Sequence, residues 1–258
     1  MSHHGKEPTA PRPWPRQSPA RPGSTPPAWP PFHVLTLCTG NICRSPMAEI
    51  MLRHSLRGVP GVSVASAGTN ALVGQPMPPE ARAVIEGLGL RDDPPHVARQ
   101  LTADLVRRSD LILALTREHR RRAVQLDPSA TQRVFTLREF AFVAGHVAEA
   151  DFDAAAAQLL WRQQAEGLPA SPPHPARVAV GAAFTVNGVF PLADPAELDV
   201  ADPFGLPLDA YAEAAVRMMP AADAIAEYFA RLPGLTPARP ARTAPPGGKR
   251  LVGTAPLR

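Results

Sequence analysis

An apolar run, His33-Val34-Leu35-Thr36-Leu37-Cys38, breaks into Thr39-Gly40-Asn41 and restarts as Ser45-Pro46-Met47-Ala48-Glu49. The run has the length and composition of a buried strand, Gly-Asn is turn chemistry, and Pro46 belongs in the first turn of a helix that ends at Gly58. The alternation then recurs. Residues 62–65 read as a short strand leading into Ser66-Ala67-Gly68-Thr69, and Ala81, Val84, Ile85 and Leu88 share one helical face. Residues 111–115 form a continuous apolar strand, Thr116 caps a basic helix over 117–125, and 133–137 is a fourth strand. Strands joined through helices require crossovers, so the chain is constrained to an α/β fold, a parallel sheet with helices on both faces.

The pattern has edges. Near the end, Leu208, Ala212, Ala215, Met219, Ala222 and Phe229 line one stripe of a long helix, which Pro220 should kink or break. Residues 141–197 lack the alternation: 152–166 is an Ala-rich helix, 168–175 a Pro-rich linker, and 176–198 shows no clear period. This stretch is expected to be a helical insertion on the edge or over one end of the sheet. Ten of the 33 prolines fall in residues 1–31 and six in 232–258, where few large apolar residues offset the entropy of ordering. These basic tails are expected to be disordered, flanking one domain over 32–231.

The tails carry +3 and +5 of a net +4, so the domain itself is at −4, and the basic isoelectric point is no argument for a nucleic-acid partner. Two cysteines exclude a disulfide-rich secreted scaffold. No run approaches the roughly 18 apolar residues of a membrane span, and Pro, Arg and Trp stand where a signal peptide needs an apolar stretch. A cytoplasmic location is the expectation.

The densest chemistry is the loop Cys38-Thr39-Gly40-Asn41-Ile42-Cys43-Arg44-Ser45, a Cys and an Arg separated by five residues. After a strand and before a helix, such a loop can turn successive backbone N–H groups toward one point, an anion-binding nest. Gly40 is expected to supply the positive φ that the curl needs. Arg44 brings a planar two-pronged donor for phosphate oxygens, and the same donors favour a thiolate at Cys38. A metal at Cys38 and Cys43 fits poorly, because zinc sites favour two to four residues between cysteines and need two more ligands. A thiolate attacking a phosphoester needs a proton donor for the leaving oxygen, and Asp202-Pro203-Phe204, on a loop before the last helix, is the best candidate, although an Asp-Pro pair alone is usually a turn. Phe204 offers an apolar wall, and Ile42 is expected to border the cleft entrance. The basic run 117–122, with His119 in it, reads as a solvated helix face.

At these residues the sequence resembles the low-molecular-weight protein-tyrosine phosphatase family of bacterial type. Residues 38–46 match its phosphate loop nearly residue for residue, and Ser66-Ala67-Gly68-Thr69, His96-Val97-Ala98-Arg99-Gln100 and Asp202-Pro203-Phe204 match downstream. The resemblance covers about 32–140 and 198–231. It implies a four-stranded parallel sheet, no cofactor or metal, and a phosphorylated protein or peptide as substrate. It implies Cys38 as nucleophile, Arg44 as transition-state clamp and Asp202 as general acid, with Ser45 donating to the thiolate. Asn41, Ser66 and His96 resemble the buried network that holds the loop. Cys43 matches a second cysteine able to form a reversible disulfide with the nucleophile. Phe204 is followed by Gly205 where the family usually has tyrosines. The related arginine-phosphate phosphatases have Thr where this chain has Ile42. The thioredoxin-coupled arsenate reductases on this fold need a further cysteine that this chain lacks. A silent phosphate-binding module is the alternative from another class, and the joint presence of Cys38, Arg44 and Asp202 argues against it.

Overall fold

The computed structural model describes residues 29–167, 173–190, 194–232 and 235. The tails therefore lie outside the described residues except at their inner ends, where Trp29 packs on the core and Leu232 and Leu235 are buried in it. No helix among the described residues is long and apolar enough to cross a membrane.

Four parallel strands, β1 (Phe32–Cys38), β2 (Val62–Gly68), β3 (Leu111–Ala114) and β4 (Val134–Thr136), lie in the order β2-β1-β3-β4. α1 (Arg44–Ser55) joins β1 to β2, α2 (Pro79–Gly87) and α3 (Ala103–Arg108) join β2 to β3, and α4 (Arg117–Leu126) joins β3 to β4. After β4 come α5 (Leu137–Ala144), α6 (Glu149–Ala165), α7 (Pro175–Val186) and α8 (Leu208–Ala230). Side chains alternate across β1. Phe32, Val34 and Cys38 enter the core made with α1, α5 and α8, while Leu35 and Leu37 enter a second core with Leu105, Val106 and Ala123 of α3 and α4. The chain leaves β1 toward β2 on one side and later returns to β3 on the other. The carboxyl end of β1 is thus the switch point where an open α/β sheet forms its crevice.

Several elements differ from the sequence expectation, each for a local reason. β2 runs on through Ser66-Ala67-Gly68, which reads as a turn, because Thr36 and Cys38 of β1 pair with Ser66 and Gly68. The 133–137 strand shortens to three residues. Thr136 caps α5 instead, accepting from Glu139 N while the Glu139 carboxylate accepts from Thr136 N. The stretch 176–198, apparently without period, contains α7, whose small residues pack against α6. A Cβ at Gly181 would stand 3.4 Å from the Ala155 methyl, so these helices approach through Ala and Gly and not through a stripe of large residues. α8 runs unbroken through Pro220. Its buried face carries Tyr211, Ala214, Ala215, Met218, Ala222, Ile225 and Phe229, and Leu208 is exposed. In α2 only Ala81 and Ile85 are buried, and Leu88 is exposed.

The start of α7 crosses the end of the sheet opposite the Cys38 loop. His174 Nε2 donates to Pro60 O at 2.9 Å, and its ring packs on Phe32 and Trp29. Arg177 Nε donates to Asp110 Oδ1 at 2.9 Å, and Asp110 Oδ2 accepts from His33 N at 2.8 Å. Asp110 is thus the acceptor that joins α7 to the entry of β1 and β3. Asp110→Ala should cost about 1–3 kcal/mol. The expected readout is a lower urea midpoint at unchanged m-value; an unchanged midpoint would show that the Arg177 contact adds nothing.

Candidate active site

The loop 39–43 curls at the end of β1 because the carbonyls of residues 38–41 are engaged outside it. Cys38 O accepts from Thr69 N at 2.9 Å, Thr39 O from Asn70 N at 3.0 Å and Gly40 O from Leu72 N at 3.0 Å. Asn41 O accepts from His96 Nε2 at 2.6 Å. With these four successive carbonyls turned outward, the Asn41 amide turns toward the Cys38 sulfur. Gly68 makes the approach possible, since a Cβ there would stand 2.4 Å from Thr39 O. The positive φ of the curl belongs to Asn41, at 55°, and not to Gly40 as expected. Asn tolerates this region better than other side-chain-bearing residues, and here its side chain is held as well.

Asn41 is buried at the centre of a chain of bonds. Its Nδ2 donates to Ser45 Oγ and Ser66 Oγ, both at 2.9 Å, and its Oδ1 accepts from Arg99 N at 2.8 Å. Ser66 Oγ donates to Glu49 Oε2 at 2.6 Å, Glu49 is paired with Arg53, and Arg99 Nε donates to Ser66 O. Thr36 Oγ1 donates to Ser45 O at 2.8 Å from the middle of β1. The expected network of Asn41, Ser66 and His96 is therefore brought together. Glu49, Arg99, Thr36 and Gly68 join it without having been singled out. The signal for Glu49 was available, since α1 buries it one turn beyond Ser45, where an unpaired carboxylate would be costly.

Cys38 is buried, with Ser45 Oγ at 3.0 Å from its sulfur and Asn41 N–H donating to it at 3.3 Å. Arg44 is buried beside it. Its Nη1 donates to Val200 O at 3.0 Å, its Nη2 pairs with Asp202, and its Nε is buried without a partner. Asp202 is half exposed, and its other oxygen accepts from Phe204 N at 3.3 Å. Phe204 stands 58% exposed, available to an incoming group. Ile42 departs from expectation: it is 6% exposed, part of the core beneath the loop, so it does not form the cleft rim. Thr39 is exposed and Gly40 partly so. Cys43 is a free thiol 4.0 Å from Tyr211 Oη, and burial pushes it up to about 12, so it stays protonated and does not compete with Cys38.

The basic run 117–122 is mostly exposed, but His119 is not part of that face. It is 4% exposed, and its Nε2 and Nδ1 lie 2.9 Å from Thr39 Oγ1 and Thr116 Oγ1. Among the described residues no group of three or more His, Cys, Asp or Glu is placed to hold a metal ion. A buried sulfur held by a hydroxyl and a backbone N–H, a guanidinium with an unengaged N–H, and a half-exposed carboxyl together suit nucleophilic displacement at a tetrahedral oxyanion.

Burial first, then Arg44, pushes His119 down to about 4, against Asp202 and Asp199. An unfolded histidine takes up its proton near about 6.5. Between those values the unfolded chain binds a proton that the folded chain refuses, so this contribution to stability is lost as pH falls from about 6.5 to about 4, by up to ~3 kcal/mol. The difference in unfolding free energy between wild type and His119→Gln should shrink across that window; a difference independent of pH would show that the ring titrates normally.

The chain matches the model of the family described as low molecular weight phosphotyrosine protein phosphatase over residues 33–153. It is 48% identical over 106 residues to the Ralstonia solanacearum protein named "Probable low molecular weight protein-tyrosine-phosphatase EpsP", covering 41% of this chain and 70% of that one. It is 36% identical over 110 residues to the protein-arginine-phosphatase of Geobacillus stearothermophilus, covering 43% and 72%. The solved low molecular weight protein tyrosine phosphatase of T. tengcongensis superposes with a TM-score of 0.51 at 26% identity, over 76% of this chain and 98% of that one. Sequence similarity of this extent begins at the strand that carries Cys38, and the shared fold extends beyond it, so the chain belongs to the low molecular weight phosphotyrosine protein phosphatase family.

Proposed function

We propose that the protein hydrolyses phosphotyrosine in protein or peptide substrates through a phosphorylated Cys38. The observation that carries the proposal is the Cys38 sulfur held by Ser45 Oγ and Asn41 N–H, with the paired Arg44 and Asp202 beside it. A phosphoryl group entering the cradle offers acceptors to the loop amides of residues 39–44 and to Arg44, including its unpartnered Nε. Arg44 then transfers its donors from Asp202 to the phosphoryl oxygens. In the first step the S–P bond forms as the P–O bond to the phenol breaks, and Asp202 gives its proton to the leaving oxygen. In the second step Asp202 takes a proton from water as that water attacks phosphorus, the S–P bond breaks, and inorganic phosphate leaves with Cys38 again a thiolate. Asn41, Ser66 and His96 keep the loop in shape, and Phe204 supplies an apolar face for the phenol.

The similarity to an arginine phosphatase favours a second reading, phosphoarginine as substrate. A guanidinium leaving group is cationic and rich in donors, whereas the exposed ring of Phe204 next to Asp202 offers the apolar face that suits a phenol. A panel of phosphotyrosine, phosphoarginine and phosphoserine peptides should therefore show preference for phosphotyrosine. Higher kcat/KM on phosphoarginine would replace the first reading by the second.

Cys38→Ser should reduce turnover of para-nitrophenyl phosphate below about one per cent while vanadate still binds, because the amides and Arg44 remain. Greater residual turnover would be incompatible with a covalent intermediate on Cys38. Asp202→Ala should lower kcat by roughly 10²–10⁴ on poor leaving groups and much less on an activated phenol. Equal losses on both would assign Asp202 a structural role.

A further inference from the structure

The proposed mechanism makes no use of His119, a buried imidazole bound at both nitrogens and joined directly to the nucleophile's loop. It sits in the first turn of α4, where Thr116 Oγ1 caps the helix by accepting from His119 N at 3.3 Å. The same hydroxyl lies 2.9 Å from Nδ1, and Nε2 lies 2.9 Å from Thr39 Oγ1, one residue beyond Cys38. The junction between β3 and α4 also holds the other half of the site. Val200 N donates to Leu115 O at 2.8 Å, and Arg117 N donates to Asp199 Oδ1 at 2.8 Å with its guanidinium on the other oxygen. Residues 115–119 thus bind both the loop that carries the nucleophile and the segment that leads to Asp202.

These contacts admit one arrangement in which each group has a distinct role. The Thr116 oxygen accepts the His119 backbone N–H, and its single O–H is free to donate to Nδ1. A neutral imidazole then carries its single proton on Nε2, and that N–H donates to Thr39 Oγ1. With its oxygen accepting from the ring, the Thr39 hydroxyl has its proton directed away from His119. Thr39 is exposed.

We propose that His119 is a positioning residue: through Nε2–H it fixes the Thr39 hydroxyl as a donor into the cleft, where it binds the phosphoryl or leaving oxygen in the transition state. The inference rests on the phosphatase reading for its kinetic consequence, but not for the bond itself. ¹⁵N-histidine NMR of the full chain should show His119 as the Nε2–H tautomer. His119→Ala and Thr39→Val should each lower kcat on aryl phosphates, and weaken orthovanadate binding, by about 3- to 10-fold, the effect of one hydrogen bond. The double variant should be no worse than the weaker single one, because both remove the same interaction. His119→Gln, which carries an amide N–H near the Nε2 position, should recover most of the loss. An Nδ1–H tautomer, additive losses, or a lowered Tm at unchanged kcat and vanadate affinity would overturn the proposal. A wild type inactive on every aryl phosphate would instead overturn the phosphatase reading, and the tautomer with the vanadate affinities would still decide the role of His119.

Discussion

The four outward-facing carbonyls of residues 38–41 are the constraint on which the site depends. A loop of this length has as many acceptors as donors, and an anion cradle requires that only the donors face inward. The separation is made by partners from elsewhere: the amides of Thr69, Asn70 and Leu72, and the His96 ring. Each bond contributes modestly, about 0.5–1.5 kcal/mol, but a buried carbonyl left without a partner would cost more than the bond gains. The loop is consequently coupled to the end of β2 and to the segment near His96. Gly68 permits contact at a distance that no Cβ allows.

Asn41 connects that backbone arrangement to the buried side chains. Its left-handed conformation reverses the chain, and its amide then spans Ser45, Ser66 and Arg99. Polar networks inside a protein are costly when partly satisfied and rigid when complete. Here the network continues through Glu49 to Arg53, so the charge at its end is paired. Such rigidity serves a reaction in which the donors must already be placed when charge develops at phosphorus.

The opposite end of the sheet is secured independently. α7 spans the entries of β1 and β3 through Asp110 and packs against α6 through small residues. The described part of the extra chain between α5 and the Asp202 loop thereby adds buried residues to the core. Residues 199–202 return to the site by bonds to the β3–α4 junction and to Arg44.

β1, the loop and α1 were legible in the linear chain because their determinants are local: an apolar run, turn residues, and a proline at a helix start. Cys38, Arg44 and Ser45 lie within that segment, and spacing alone brings them near one another. Asp202 was expected in the site as general acid, but its bond to Arg44, 158 positions away, exists only because α8 and the β3–α4 junction return the chain to the loop. Where expectation and structure part, contacts distant in sequence prevail over local propensity. Ser66-Ala67-Gly68 is strand because β1 supplies the ladder, α7 is helix with a face of small residues because α6 is close, and His119 leaves a basic surface run because its ring is bonded to Thr39 and Thr116. Ile42 points into the core for the same reason, since the outward bonds of its neighbours settle the direction of the backbone before its side chain can choose a face.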